Sequence, residues 1–369
     1  MTNILKKNSE SFLKKGITLL ILAAISMFAV FMGTYWSNER QEQITPPIPI
    51  ESSASLIHVG SNDSFATTQD GILAGRFVLD YLENKQPDAA QKAIALYDKL
   101  IPVENYGGEY SALQWFCKYL LASPQQQETF LANRFVANFY NFFAENDFAR
   151  LKEYLQRKYK LKEFADANTE AGEHRLAVLE DTILFNNPRR EEWEKSSKFM
   201  NILQLKPGQT VADIGSGPGY YTYQFSQLVA DKGKVYAIDT VKDHLDYIEN
   251  FSQENNLKNI ETVHTSGETI GTQPKEVDLA FMCSLYHNIY ALSKDNDRDS
   301  FVNSIKNALK PDGTLVVVDN ALVVDNQLPY HGPYIAKELI IGQLKYYGFH
   351  LVKDYGFVPQ RYILYFQKD

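Results

Sequence analysis

The segment Val211-Ala-Asp-Ile-Gly-Ser-Gly-Pro-Gly219 sets glycines at alternate positions where a β-branched run should hand over to a helix. Glycines at 215, 217 and 219 let a backbone approach a ligand closely and take angles that a Cβ forbids. About twenty residues on, Asp239 closes the run Val235-Tyr-Ala-Ile-Asp239, where a strand-end carboxylate can accept hydrogen bonds from both hydroxyls of a ribose. Together these features predict a nucleotide-like ligand across the turn. A dinucleotide fingerprint needs a third small residue, and here that position is Tyr220, whose phenol would crowd the helix against the sheet. Asp213 instead gives Asp-x-Gly-x-Gly-x-Gly, and a carboxylate at that strand end suits an ammonium-bearing ligand better than one with two phosphates.

These side chains need a scaffold. Val211 to Ile214, Lys234 to Ile238, Ile260 to His264, Val277 to Met282 and Leu315 to Asp319 read as strands, each separated by enough chain for a crossover helix. That grammar predicts an α/β fold, a doubly wound Rossmann-like sheet, over residues 188–369. His350 to Phe357 and Arg361 to Phe366 are joined through Val358-Pro359-Gln360, too short a link for a crossover, so they should form a C-terminal antiparallel hairpin at or near one edge. Residues 67–187 carry apolar residues at helical spacing, such as Phe135, Phe139, Phe142 and Phe143, then Phe148, Leu151, Tyr154 and Leu155. They predict an all-α domain of about five to seven helices. Its boundaries are expected near Pro102, at Tyr106-Gly107-Gly108 and at Ser123-Pro124.

Ile17 to Trp36 hold no charged side chain, and as a helix the run would be about 30 Å long, the thickness of a bilayer's hydrocarbon core. Lys6, Lys7, Lys14 and Lys15 precede it, which predicts a cytoplasmic tail (1–16), a transmembrane anchor (17–36) and a catalytic domain outside the cytoplasm. A cleaved secretory signal is the rival reading, although no small-residue cleavage pair follows the run. Residues 37–66, rich in Pro and Ser, read as a flexible linker. In the 369 residues, 44% hydrophobic and 22% charged side chains exclude wholly disordered classes, and the net charge of −8 makes nucleic acid a poor expected partner. Cys117 and Cys283 match no metal-ligand or redox spacing.

The segments VADIGSGPGYYT, KVYAID and LKPDGTLVVVD, in that order and spacing, resemble the class I S-adenosylmethionine-dependent methyltransferases over residues 188–369. Arg190-Glu-Glu-Trp193-Glu-Lys195 and Cys283-Ser-Leu-Tyr286-His287-Asn288 are similar to motifs of one subgroup, with Ser196 where it has proline and Asn288 where it has a second histidine. The resemblance implies S-adenosyl-L-methionine as cofactor, its methionine part against Gly215, Gly217 and Gly219, its amino end on Asp213 and its ribose on Asp239. It also implies adenine contacts near Gly267, Glu268 and Thr269, with Cys283 beside the cofactor and Arg190 and Trp193 closing over it. Tyr286 and His287 would face the acceptor, with Tyr286 shaping its pocket and His287 as the first candidate base, and His331 would be a further contact. The expected function is methyl transfer, from a membrane tether, to an unknown small-molecule or membrane-associated acceptor, with no metal. A non-catalytic adaptor on the same fold and an NAD-dependent oxidoreductase stay open, as does the methylated atom.

Overall fold

The computed structural model describes residues 56–58, 68–104, 108–322, 333–358 and 361–369. All of these belong to one compact unit, Ser55–Asp369. The expected tail, the apolar run 17–36, most of the 37–66 linker and His331 lie outside the described residues. The expectation of a single-pass membrane protein is corrected here: among the described residues no helix is long and apolar enough to cross a membrane.

The strands are β1 (Ile57–His58), β2 (Thr210–Ile214), β3 (Lys234–Asp239), β4 (Ile260–His264), β5 (Val277–Cys283), β6 (Leu309–Asn320), β7 (Tyr334–Ile335), β8 (Phe349–Tyr355) and β9 (Arg361–Lys368). Seven of them form one sheet in the order β4-β3-β2-β5-β6-β9-β8. The first five in that order run parallel, and β9 lies antiparallel between β6 and β8. Side chains alternate across the sheet: Ala212, Ile214, Ile238, Met282 and Val317 enter one core, while Val211, Val235, Phe281, Val316 and Val318 enter the other. Both faces are therefore covered, as a parallel sheet requires. The expected hairpin forms at one edge, with β8 outermost and the last strand, β9, next to it, its residues Arg361 to Phe366 buried without a break.

Ahead of the sheet stand α1 (Gln69–Asn84), α2 (Pro87–Glu104), α3 (Glu109–Leu121), α4 (Pro124–Phe130), α5 (Arg134–Lys158) and α6 (Glu170–Phe185). Ser123 caps α4 in a reciprocal box with Gln126, and Pro124 takes the first turn, where its missing N–H costs nothing. Pro102 does not end α2, which runs two residues further to Glu104. Non-helical backbone from Glu145 to Phe148 breaks α5 in two. Phe139, Phe143, Leu151, Tyr154 and Leu155 share a helical core, whereas Phe135 and Phe142 reach out to Tyr220, Tyr223 and Tyr247 of the α/β layer.

After α6 the chain passes through Asn186 and Asn187, both buried, into α7 (Glu191–Glu194) and α8 (Ser196–Leu203). The Asn187 side-chain amide donates to the Ser111 hydroxyl at 2.7 Å and to the Gly108 carbonyl at 3.2 Å. Asn186 donates to the carbonyl of Pro218, inside the glycine loop, at 2.8 Å. Asn187→Ala strands buried partners on α3 and should cost about 1–3 kcal/mol in urea unfolding, whereas a loss below roughly 0.5 kcal/mol would show that this junction does not hold the layers together.

Candidate active site

Gly215, Gly217 and Gly219 have φ of 70°, 51° and 94°, the left-handed region, so the loop after β2 depends on glycine. A Cβ on Gly215 would come within 2.8 Å of Leu285, and one on Gly219 within 2.9 Å of Ile248 and Tyr223. The N–H groups of Gly215 and Ser216 donate to the Ile238 carbonyl at 2.8 and 3.0 Å. The Gly217 N–H donates to Asp239 at 2.7 Å, and Val241 donates to the same carboxylate at 2.9 Å. Gly219 then opens α9 (Tyr220–Val229). Tyr220 does not wedge the helix off the sheet: its hydroxyl lies 2.8 Å from that of Ser196, and the Arg190 guanidinium stacks 4.2 Å over its ring.

The two acids of the site are held in opposite ways. Asp213, buried, accepts from the Thr222 hydroxyl at 2.6 Å. Burial, with the nearby Asp239 charge, pushes its carboxyl up to about 7 against the pull of Thr222 and Arg190. Burial also works to raise Asp239, but His244 and the Val241 and Gly217 N–H groups outweigh it and hold Asp239 below the usual carboxylate range. His244, on α10 (Lys242–Glu254), lies between Asp239 at 3.7 Å and Asp181 of α6 at 3.3 Å. Burial lowers its pKa and the two carboxylates overcome that, pushing it up to about 9.

A cavity of about 1090 Å³ opens over the C-terminal ends of β2, β3, β5 and β6, where a doubly wound sheet binds its ligands. Asp181, Leu184 and Phe185 of α6 form one wall, so the helical layer is part of the site. On the far side, in α11 (Tyr286–Leu292), His287 lies with Nδ1 2.8 Å from Oδ1 of Asp319, and its main-chain N–H donates to Oδ2 at 3.0 Å. Asp319 is fully buried at the end of β6. Between the loop and this pair, Arg361 donates to Glu194 at 2.6 Å, to Ser284 at 3.0 Å and to the Cys283 sulfur at 3.2 Å.

Of the residues expected from sequence, Asp213, Gly215, Gly217, Asp239, Gly267, Cys283, His287, Arg190 and Trp193 line this one cavity. Gly219 shapes the loop from behind it. Three candidates are not brought there. Tyr286 is fully buried on another face of α11, its hydroxyl donating to Gln343 at 2.7 Å, and Glu268 and Thr269 are exposed at the surface, leaving Thr265 and Gly267 on the wall. Asp319, Glu194, Arg361 and His244 were not foreseen. Asp319 alone had a local signal, as the acid ending a β-branched run in the way Asp239 does.

Residues 205–346 match the model of a family described as a methyltransferase domain, over well under half of the chain. Residues 205–346 are thus similar to a methyltransferase domain. A protein-L-isoaspartate O-methyltransferase of Methanococcoides burtonii is 30% identical over 67 residues, 18% of this chain and 33% of that protein. A ubiquinone/menaquinone biosynthesis C-methyltransferase of Shewanella sediminis is 28% identical over 144 residues, 38% of this chain and 53% of the relative. The chain thus spans a third to about half the length of these curated relatives. Among solved structures, a SAM-dependent methyltransferase from Aquifex aeolicus is 27% identical with a TM-score of 0.43, covering 48% of this chain and 92% of that one.

The cavity fits the S-adenosylmethionine that the sequence resemblance implies. Its glycine backbone leaves a cradle that a Cβ at position 215 would disturb, and two strand-end carboxylates face it, one suited to an ammonium group and one to ribose hydroxyls. Since an ammonium ligand needs Asp213 ionised, S-adenosylhomocysteine affinity should fall by up to about tenfold per pH unit below about 7, and Asp213→Asn should remove that slope along with most of the affinity. A flat calorimetric profile between about pH 5.5 and 8 would contradict the assignment. His244, raised in the fold, contributes stability that is complete below its unfolded value of about 6.5 and is lost as pH rises through about 9. His244→Gln should therefore cost about 1–3 kcal/mol in urea near pH 6 and less than half of that above pH 9, a difference that a surface histidine would not give.

Proposed function

We propose that this chain is an S-adenosylmethionine-dependent methyltransferase acting on a small-molecule acceptor at an atom that carries an ionisable proton, with His287 as general base and Asp319 as its positioning residue. The observation that carries this reading is the buried contact of 2.8 Å between His287 Nδ1 and Asp319 in the same cavity as the glycine loop. Asp319 accepts from both the ring and the main chain of His287, which fixes the proton on Nδ1 and leaves Nε2 as the acceptor for a substrate proton. Asp319 also accepts from the Asn320 N–H at 2.8 Å, so its own orientation is fixed before substrate arrives.

When bound, S-adenosylmethionine supplies an electrophilic methyl group. Asp213, the 215–217 backbone and Asp239 would hold its methionine and ribose parts, which aligns the transfer. Trp193, Phe185, Leu285 and Ile289 give the cavity apolar walls that exclude water from the reacting atoms. His287 Nε2 takes the proton that the acceptor oxygen or nitrogen loses.

Incubation of the full chain with S-adenosylmethionine and a panel of phenols, carboxylic acids and amines, followed by S-adenosylhomocysteine release, tests the reading. Turnover of a compound in the panel is expected, with kcat lowered at least about 100-fold by His287→Gln or Asp319→Asn and S-adenosylhomocysteine affinity kept within about twofold. Undiminished turnover in His287→Gln would remove the base, and absence of S-adenosylhomocysteine binding would remove the whole assignment.

A further inference from the structure

Two guanidinium groups in this cavity share one carboxylate. Glu194, about 1% exposed, accepts from Arg361 through Oε1 and from Arg190 through Oε2 at 3.4 Å, and the Tyr221 hydroxyl also donates to it. Arginine does not release its proton in a protein, so the cluster carries an excess positive charge. Arg190 also donates to the Phe185 carbonyl at 2.8 Å, stacks on Tyr220 and feels Asp213, which places it at the loop end. Among the described residues Arg361 has no such second acid. It is about 8% exposed, and its Nε–H is buried without a hydrogen-bond partner.

An excess buried cation is costly unless an anion joins it. Arg361 lines the cavity with Cys283 and Ser284, the residues that follow β5 and lead to His287. Its guanidinium reaches back across the sheet to the end of β5, the strand beside β2, where Ser284 stands three residues before His287. The cation therefore sits between the glycine loop and the base, where a substrate lying between the two would meet it. From this geometry we infer that Arg361 forms a subsite for a carboxylate of the methyl acceptor, held by its planar donor fork with the Ser284 hydroxyl alongside. A single excess charge matches a monoanionic carboxylate and would be overshot by a dianionic phosphate. The acceptor class is then a small acid bearing both a carboxylate and the group to be methylated. This inference rests on the methyltransferase reading of the cavity.

Calorimetry of the full chain saturated with S-adenosylhomocysteine, using 4-hydroxybenzoate and its neutral methyl ester as probes, separates the outcomes. The acid should bind at least about tenfold more tightly than the ester near neutral pH. Arg361→Gln should bring the two within about twofold while leaving S-adenosylhomocysteine affinity within about twofold. Ser284→Asp, which sets an internal carboxylate against the same guanidinium, should also abolish the preference and serves if Arg361→Gln does not fold. Equal binding of acid and ester by the native protein would overturn the subsite. So would a loss of at least about tenfold in S-adenosylhomocysteine affinity in Arg361→Gln with the acid preference intact, since that assigns the guanidinium to the cofactor's own carboxylate. Failure of the native protein to bind S-adenosylhomocysteine would instead sink the methyltransferase reading, and the acid and ester comparison without it still decides the subsite.

Discussion

The carboxylate of Asp239 holds two stretches of chain in one geometry, accepting from Gly217 on one side and from Val241 on the other. That bond closes the loop after β2 onto the end of β3, and the loop can close only because its glycines accept positive φ. Asp239 in turn faces His244, whose second partner is Asp181 of the helical layer. A chain of charge therefore runs from the cofactor loop to α6. Removing His244 leaves the buried Asp239 carboxylate without this counter-charge, which costs more than the pair contributes.

The rest of the cavity follows the same logic of buried ionisable groups disposed in pairs. Burial raises the Asp213 carboxyl, hydrogen bonds hold Asp239 below the usual range, and Asp319 accepts from both the ring and the main chain of His287. The Arg190, Glu194 and Arg361 cluster sets two cations against one carboxylate. Such groups persist in a low-dielectric site when a ligand completes them, and functional sites are where strongly perturbed groups gather. The helical layer contributes walls and Asp181 and leaves the sheet to supply the reacting end.

Much of this was legible in the sequence because it is encoded locally. The strands betray themselves by β-branched runs, the loop by glycine spacing, and Asp239 by its position at a strand end. What was not legible depends on packing between distant segments. Glu194 and Arg361 meet across 167 residues, and no local pattern pairs them. Tyr286 and His287 are neighbours in sequence, yet a helix turns about 100° per residue, so α11 commits one to the core and the other to the cavity. Glu268 was misplaced because the turn after β4 offers Thr265 and Gly267 instead. The order β6-β9-β8 rests on which strand is buried on both faces, and β1 is a two-residue strand in a span whose composition reads as linker.

Amide hydrogen exchange of the full chain, with and without S-adenosylhomocysteine, tests the central claim most directly, because it reports where the cofactor sits. The account predicts slowed exchange concentrated in residues 213–219, 239–241 and 283–287 on addition of the ligand. Slowing confined to other segments, or none at saturating ligand, would contradict it.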